Sequence, residues 1–564
     1  MKKLLITLVT FLMAVLCSKA SVFLDNSTGR PVLKVEEQPF FILGGELGNS
    51  SATCVEDIDS IFPVLSDMGL NTVLVPVYWD LTEPEENKFD FSLTDRIISA
   101  AEKNQLKVIV LWFGAWKNSM SCYAPSWVKK DYDRFPRARC SSGKPLEIAS
   151  PFSENVLQAD LKAFLQLLNH IKENNKDNTV IMIQVENEIG MLEDARDHSE
   201  LADSEYARGV PTELMQYLHE NKESLHPSLL KKWGINGYRP SGTWKEVFGD
   251  DIFTDEYFMA WNYARYVDKL SENGKQILNI PFYLNAALNS RDRLPGEYPS
   301  AGPLAHLKDF WRAGASSIDF ISPDIYDSGF EDWVAQYDLP DNVLFIPEVK
   351  RENENAAQVY YVAGHHNAIG FSPFSIENAS AEYKACLKPA YQVVNQLTPV
   401  LSAHPGDKLR DGFMLTQEAQ KKTITDDSVK ITLSHYFTLP WDARARSGEP
   451  WPSAGAVLMK LAEGEYLLAG NGVVAKFEDV KEEQNEARLG EDGFLQGGEE
   501  RLAGLKNGRT PRIGLASVEE VEIEKDGTIR RLRSLNGDET HQGRHARISI
   551  DDNKILLIKT YSYQ

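Results

Sequence analysis

The chain has 564 residues with a formal charge of -22, 42% hydrophobic content and 25% charged residues. These values exclude collagen-like, coiled-coil and wholly disordered chains. With 60 Lys and Arg against 82 Asp and Glu and no basic cluster, they also exclude a nucleic-acid surface, which needs a basic stripe to track phosphates.

Lys2 and Lys3 precede an apolar run from Leu4 to Cys17, and Ser18 and Ala20 frame a cleavage site before Ser21. This pattern predicts a secretory leader over residues 1–20 and a periplasmic or secreted protein. Leu16 is bulky where a lipid-anchored leader wants a small residue before Cys17, so cleavage after Ala20 is expected rather than lipidation. No other stretch approaches about 18 uncharged apolar residues, so no stable membrane insertion is expected once the leader is removed. Beyond the leader stand Cys54, Cys122, Cys140 and Cys386, without the paired spacing of a zinc site. Cys122 and Cys140 could bridge across one loop or remain free thiols.

From residue 40 onward, short apolar β-rich runs recur: Phe41 to Gly45, Thr72 to Val77, Lys107 to Trp112, Val180 to Glu186, Ile280 to Ala286, Ile318 to Ile325, Val343 to Pro347 and Ala368 to Phe374. Stretches with apolar residues three and four apart lie between them, such as Val55 to Met68, Leu93 to Asn104, Asn155 to Glu173 and Tyr257 to Asn273. Eight strand–helix repeats predict a (β/α)8 TIM barrel over residues 21–402, in preference to a doubly wound sheet. The connections after strands three and four, Leu111 to Asn155 and Ile189 to about Ile277, are long and are expected to wall the active face. The second includes a helix-like segment from Glu213 to Trp233.

A last helix-like run, Tyr383 to Leu401, ends at Ala403-His404-Pro405-Gly406-Asp407, and the chain then turns β-rich. Asn471-Gly472 and Asp526-Gly527, each between apolar runs, predict hairpins. Residues 403–564 are therefore expected to form a smaller all-β sandwich, with residues 476–512 as a long loop.

Catalytic groups of a barrel project from the carboxyl ends of its strands. Strand four ends Gln184-Val185-Glu186-Asn187-Glu188, and strand seven ends Phe345-Ile346-Pro347-Glu348, so two apolar strands run straight into acid. Alternation sends Met182, Gln184 and Glu186 to one side and leaves Glu186 and Glu188 indistinguishable by face. Carboxylates facing each other across a mouth are the equipment for cleaving a glycosidic bond, one as a proton donor and the other as a nucleophile. The competing reading is a buried ion network with Arg or Lys. Aromatic residues gather at the strand ends: Tyr78, Trp79, Trp112, Phe113, Trp116, Tyr326 and Phe374. Such faces pack on pyranose rings, and Asp80, Asn118, Asn285 and Asp324 can bond hydroxyls.

Gln184-Val185-Glu186-Asn187-Glu188-Ile189-Gly190 closely resembles the strand-four signature of glycoside hydrolase family 35, the retaining β-galactosidases. Val75-Pro76-Val77-Tyr78-Trp79 through Glu83-Pro84-Glu85 resembles the strand-two region of that family and of the related family 42. The resemblance, over roughly residues 35 to 390, implies Glu188 as acid/base, Glu348 as nucleophile, Asn187 on the sugar 2-hydroxyl and Tyr326 bonded to the nucleophile. Glu186, Tyr78, Trp116, Asn118 and Asn285 complete the candidate substrate-binding set. The tail resembles the β-sandwich appended to a bacterial subgroup of these enzymes. Ile189 departs from a common Tyr, and Gly44-Gly45-Glu46-Leu47 and Gly114-Ala115-Trp116-Lys117-Asn118 do not reproduce the usual loop motifs.

The implied function is retaining exo-β-galactosidase activity on galactose-containing oligo- or polysaccharides, with no cofactor, no metal and no nucleic acid. The implied catalytic pair is Glu188 and Glu348. Other exo-acting β-glycosidases of the clan, a β-glucosidase or a β-L-arabinopyranosidase, share this logic. A non-catalytic carbohydrate-binding barrel is the reading from another class. A metal hydrolase lacks a His pair at ligand spacing, since adjacent His365 and His366 point apart. The tail is expected to brace the barrel, to bind polysaccharide or to support a homo-oligomer.

Overall fold

Eight short strands, buried along almost their whole length, form one parallel sheet: β1 (Ile42–Leu43), β2 (Thr72–Tyr78), β3 (Lys107–Lys117), β4 (Val180–Asn187), β5 (Phe282–Ala287), β6 (Phe320–Ile325), β7 (Ile346–Val349) and β8 (Gly370–Pro373). The computed structural model describes residues 22–27, 29–289, 292–404, 406, 408–439, 441–481, 488–489, 495–496 and 511–564; the expected leader lies outside them. Continuous apolar strands are what a parallel sheet covered on both faces requires. Each is followed by a helix: α1 (Val55–Asp67), α2 (Ser92–Lys103), α3 (Glu154–Asn174), α4 (Ile252–Ile277), α5 (Lys308–Gly314), α6 (Phe330–Tyr337), α7 (Asn355–Gly364) and α8 (Ala381–Ala403). Ser153, Asp251 and Ser380 cap α3, α4 and α8 by accepting first-turn backbone N–H groups.

The sheet closes where β1 meets β2. The Leu74 N–H donates to the Gly45 carbonyl and the Leu47 N–H to the Leu74 carbonyl, each at 3.0 Å, and Glu46 bridges toward both Leu74 and Phe374. The expected (β/α)8 barrel is thus the observed one. Two boundaries moved: β3 runs on to Lys117, five residues beyond Trp112, and the helix expected over Glu213 to Trp233 is two helices, Thr212–Glu220 and Pro227–Ile235. Pro227 cannot continue a helix but starts one well. Cys54, Cys122, Cys140 and Cys386 are all free thiols, so Cys122 and Cys140 form no bridge.

Beyond α8 the chain forms two antiparallel sheets. Its strands are β9 (Arg410–Leu415), β10 (Lys421–Asp426), β11 (Val429–His435), β12 (Ala454–Ala462), β13 (Glu465–Asn471), β14 (Val473–Asp479), β15 (Arg512–Ile523), β16 (Ile529–Ser534), β17 (Ala546–Ile548) and β18 (Lys554–Tyr563). The six-stranded sheet runs β9-β12-β13-β18-β15-β16 and the four-stranded one β10-β11-β14-β17. Asp526-Gly527 joins the paired strands β15 and β16 as a hairpin. Asn471-Gly472 does not: β13 pairs with β12 and β18, whereas β14 pairs with β11 and β17, so Gly472, at φ 68°, turns the chain from one sheet into the other. Turn chemistry specified a sharp reversal but not the strand that each arm would join. The loop expected over residues 476–512 falls mostly outside the described residues, and its first part belongs to β14.

Alternation along β12 explains the arrangement of the two units. Ala456 and Leu458 enter the sandwich core with Ile431, Leu433, Leu468 and Ala475, while Val457 and Met459 join the barrel core. The six-stranded sheet is therefore apolar on both faces, one against its partner sheet and the other against α7 and α8.

Candidate active site

The end of β4 is held by a tight turn at the end of β3. Lys117 and Met120 exchange backbone hydrogen bonds of 2.8 and 2.9 Å, and the central residues Asn118 and Ser119 both have positive φ, 48° and 63°. That geometry is a type I′ turn, which favours Asn at its first central position. The turn's outward N–H groups then pin β4: Asn118 donates to the Asn187 carbonyl and Ser119 to the Glu188 carbonyl, both at 3.2 Å.

Four acids and one lysine converge inside the mouth. Glu188 is 4% exposed and Glu348 3%, with Glu46 and Asp324 also buried. Asp324 on β6 and Glu348 on β7 are register partners. One carboxylate oxygen from each of Glu188, Asp324 and Glu348 lies within 4.8 Å of the others, close enough to share a cation. The Lys117 ammonium already brings positive charge there, 3.6 Å from Glu188 Oε2 and 2.7 Å from Asn187 Oδ1. The Asn118 side-chain amide donates to Glu188 Oε2, and the Tyr326 hydroxyl donates to Glu348 Oε1. Asn285 Oδ1 accepts from the Glu188 N–H at 3.0 Å, while its amide donates to Asp324 Oδ2 at 2.6 Å.

Burying four carboxyls around one cation forces most of them to keep a proton. Burial and then the neighbouring Glu348 raise Glu46 well above the ordinary glutamate value. Burial, Glu348 and Glu188 do the same to Asp324. Glu188 is pushed up to about 7: burial is the main cause, Glu348 adds to it, and Lys117 opposes it. Burial works against the charge on Lys117, but Glu188, Glu348, Glu46 and Asp324 together hold it above the usual lysine value. A carboxyl with a value near neutrality beside a second carboxylate is equipped to give and take back a proton at physiological pH.

Glu186 is elsewhere. Alternation predicts an inward side chain, yet Glu186 turns to the helix side of the sheet. There its Oε2 accepts from the Trp116 N–H at 2.8 Å, and the charge of Asp160 on α3 adds to burial in raising its pKa. Asp160 also accepts from Trp112 Nε1 at 2.9 Å and the Tyr266 hydroxyl at 2.8 Å. The cause is backbone conformation: Glu186 and Glu188 have φ of 59° and 45°, left-handed values that break a strand's two-residue period. Gly114 makes room for this cluster, since a Cβ there would stand 2.7 Å from both Asp160 Oδ1 and Glu186 Oε1.

The expected aromatic rim is also smaller. Trp116 packs edge-on to Tyr263 and Tyr266 of α4, and Trp112 against Phe164 of α3, so both fill the layer between sheet and helices. Tyr78 is buried against Phe113 and Tyr123. Tyr326 is 41% exposed with its ring edge-on to Phe374, and these two aromatics stand at the mouth. Glu188, Glu348, Asn187, Asn118, Asn285 and Tyr326 are brought together, whereas Glu186, Trp116 and Tyr78 are not. Three participants escaped the sequence. Glu46 carried the signal used for β4 and β7, an apolar strand ending in acid. Lys117 was hidden by placing the end of β3 five residues early, and Asp160 occupies a helix position with no local mark.

A (β/α)8 barrel with a close pair of buried glutamates at the carboxyl ends of its fourth and seventh strands defines a site of the glycosidase type. In agreement with the resemblance drawn from Gln184 to Gly190, residues 32–238 match the family model Glycosyl hydrolases family 35. Glu188 lies inside that match and Glu348 beyond it, positioned by the barrel's topology. Residues 387–547, most of α8 and the sandwich, match a domain of unknown function, DUF5597. A beta-galactosidase of Xanthomonas manihotis is 31% identical over 144 residues, 24% of this chain and 21% of the relative, so the chain spans about a fifth of that protein's length. Among solved structures, a cold-adapted beta-galactosidase from Rahnella sp. R3 aligns with a TM-score of 0.44 at 14% identity, over 64% of this chain and 57% of that one. A beta-galactosidase from Bacillus circulans sp. alkalophilus aligns with a TM-score of 0.45 at 14% identity and the same coverage.

Proposed function

We propose that the protein is a retaining exo-β-galactosidase that removes terminal β-galactosyl residues by double displacement. The observation that carries this reading is the spacing of Glu188 and Glu348, whose carboxylate oxygens approach within 4.8 Å. Retaining glycosidases hold their carboxyl groups about 5–5.5 Å apart, whereas inverting ones need roughly 6.5–9.5 Å to admit a water. Glu348 attacks the anomeric carbon while Glu188 protonates the departing glycosidic oxygen. Glu188, now ionised, then takes a proton from water, which cleaves the glycosyl ester on Glu348. Asn187 donates to the 2-hydroxyl, and Tyr326 steadies the nucleophile through its bond to Oε1.

The test is hydrolysis of aryl β-galactosides, β-glucosides and β-L-arabinopyranosides, with the first-formed anomer followed by NMR. Preferred turnover of the galactoside with a β product, lost in Glu348→Gln, is expected. An α product would overturn the mechanism, and a preference for glucoside or arabinopyranoside would overturn the sugar assignment. For location, we infer export through the leader at residues 1–20, tested by sequencing the N-terminus of the mature protein, expected at Ser21.

A further inference from the structure

We propose that Lys117 is a positioning residue that locks the side-chain amide of Asn187 in one orientation, with Nδ2 facing the mouth as a dedicated donor to the substrate. The inference rests on the reading of Asn187 as the partner of a sugar 2-hydroxyl. An amide side chain presents a donor on one side and an acceptor on the other, and left free it can turn over. An ammonium has three donors and no acceptor, so it can face only the oxygen. Lys117 Nζ lies 2.7 Å from Asn187 Oδ1, and turning the amide over would set donor against donor. Asn187 Nδ2 is then buried with no protein partner among the described residues. A buried donor without a partner carries its full desolvation penalty, which an arriving hydroxyl removes.

Lys117 itself has little freedom. Its side chain is 5% exposed, its ammonium lies 3.6 Å from Glu188 and 5.3 Å from the Phe113 ring centre, and its backbone is fixed by the type I′ turn with Met120. The same turn holds the backbone of Asn187 through Asn118, so ammonium and amide are carried by one rigid unit. A lysine that only neutralised the surrounding acids would need no contact with the neutral Asn187.

The deciding quantity is the 2-hydroxyl preference, the ratio of kcat/KM for an aryl β-galactoside to that of its 2-deoxy analogue. Effects on charge or folding act on both substrates and cancel. Lys117→Met is expected to lower this ratio at least tenfold, and Asn187→Ala to lower it no further in that background than in wild type. An unchanged ratio in folded Lys117→Met overturns the proposal. Should Lys117→Met fail to fold, Asn187→Asp decides, because it keeps an oxygen for Lys117 but replaces the inward donor with an acceptor. Loss of the preference is expected, and its retention overturns the proposal. If wild type prefers another aryl glycoside, the sugar assignment falls and the ratio is measured with that sugar and its 2-deoxy analogue, which separates the two failures.

Discussion

Glu186 and Glu188 stand two residues apart at the end of β4 and face opposite sides of the sheet, Glu186 held by the Trp116 N–H beside Asp160 and Glu188 among the acids of the mouth. Left-handed backbone at two non-glycine residues costs about 1–3 kcal/mol each and persists only where the surroundings fix it. Asp160, Trp112, Tyr266 and the Trp116 N–H supply that fixing on the helix side. Asn118, Asn285 and Lys117 supply it at the mouth.

The Glu186 and Asp160 pair makes stability depend on pH. Burial and then Asp160 raise Glu186 well above its ordinary value, and burial raises Asp160. A folded-state value above the unfolded one, about 4.3 for Glu, gives stability that is complete below pH ~4 and lost as pH rises through the folded value. Glu186→Gln keeps the acceptor for the Trp116 N–H and has no proton to lose. Its melting temperature should match wild type near pH 4 and decline less toward pH 9. Parallel declines in the two proteins would falsify the raised Glu186 value as the source of the loss.

Glu188 sets the pH dependence of turnover. It must be protonated to act as the acid, and its value of about 7 puts the fall in kcat/KM on the alkaline side of neutrality. Glu188→Ala should lose this limb for substrates that need protonation. With a 2,4-dinitrophenyl leaving group the first step should stay fast, and azide should restore turnover by attacking the glycosyl-enzyme as a β-glycosyl azide forms. Azide without effect, or an α-azide, would remove Glu188 from the acid/base role.

Tyr326 donates to the oxygen of Glu348 nearest it. A hydrogen bond to a charged group contributes about 1.5–3 kcal/mol. Tyr326→Phe should therefore lower kcat/KM for aryl galactosides by about 10- to 100-fold, with kcat carrying most of the loss. A change confined to KM would mean that Tyr326 binds the sugar without holding the nucleophile.

What the sequence disclosed follows from the range of each signal. Val180 to Glu186 and Thr72 to Val77 read as buried strands because burial on both faces leaves a local apolar run, and Glu188 and Glu348 were found because each ends such a run in acid. Glu186 was misplaced because alternation assumes ordinary backbone, and its left-handed φ depends on Asp160, a partner 26 positions away in sequence. Lys117 was missed for a related reason: β3 continues through Gly114, which looks like a strand end until the crowding of Asp160 and Glu186 at that position is known. The Asn471-Gly472 turn was recognised but assigned to a hairpin, because pairing partners are set by the two-faced six-stranded sheet and not by the turn.

That two-faced sheet makes the sandwich a brace for the barrel, with Gly412 as its tightest point. β9 lies so close to α7 that a Cβ on Gly412 would fall 2.4 Å from the Tyr360 carbonyl oxygen and 2.7 Å from both the Tyr361 oxygen and the His365 nitrogen. All three are backbone atoms and cannot rotate aside. Gly412→Ala must therefore push the sheet away from α7, at the cost typical of overpacking, about 1–3 kcal/mol. The strain falls on a helix that begins six residues after Val349, the last residue of the strand that carries Glu348. The variant is expected to melt several degrees below wild type and, below that temperature, to keep its 2-hydroxyl preference while losing some kcat. Wild-type melting in Gly412→Ala would show that the two units are not coupled through this contact.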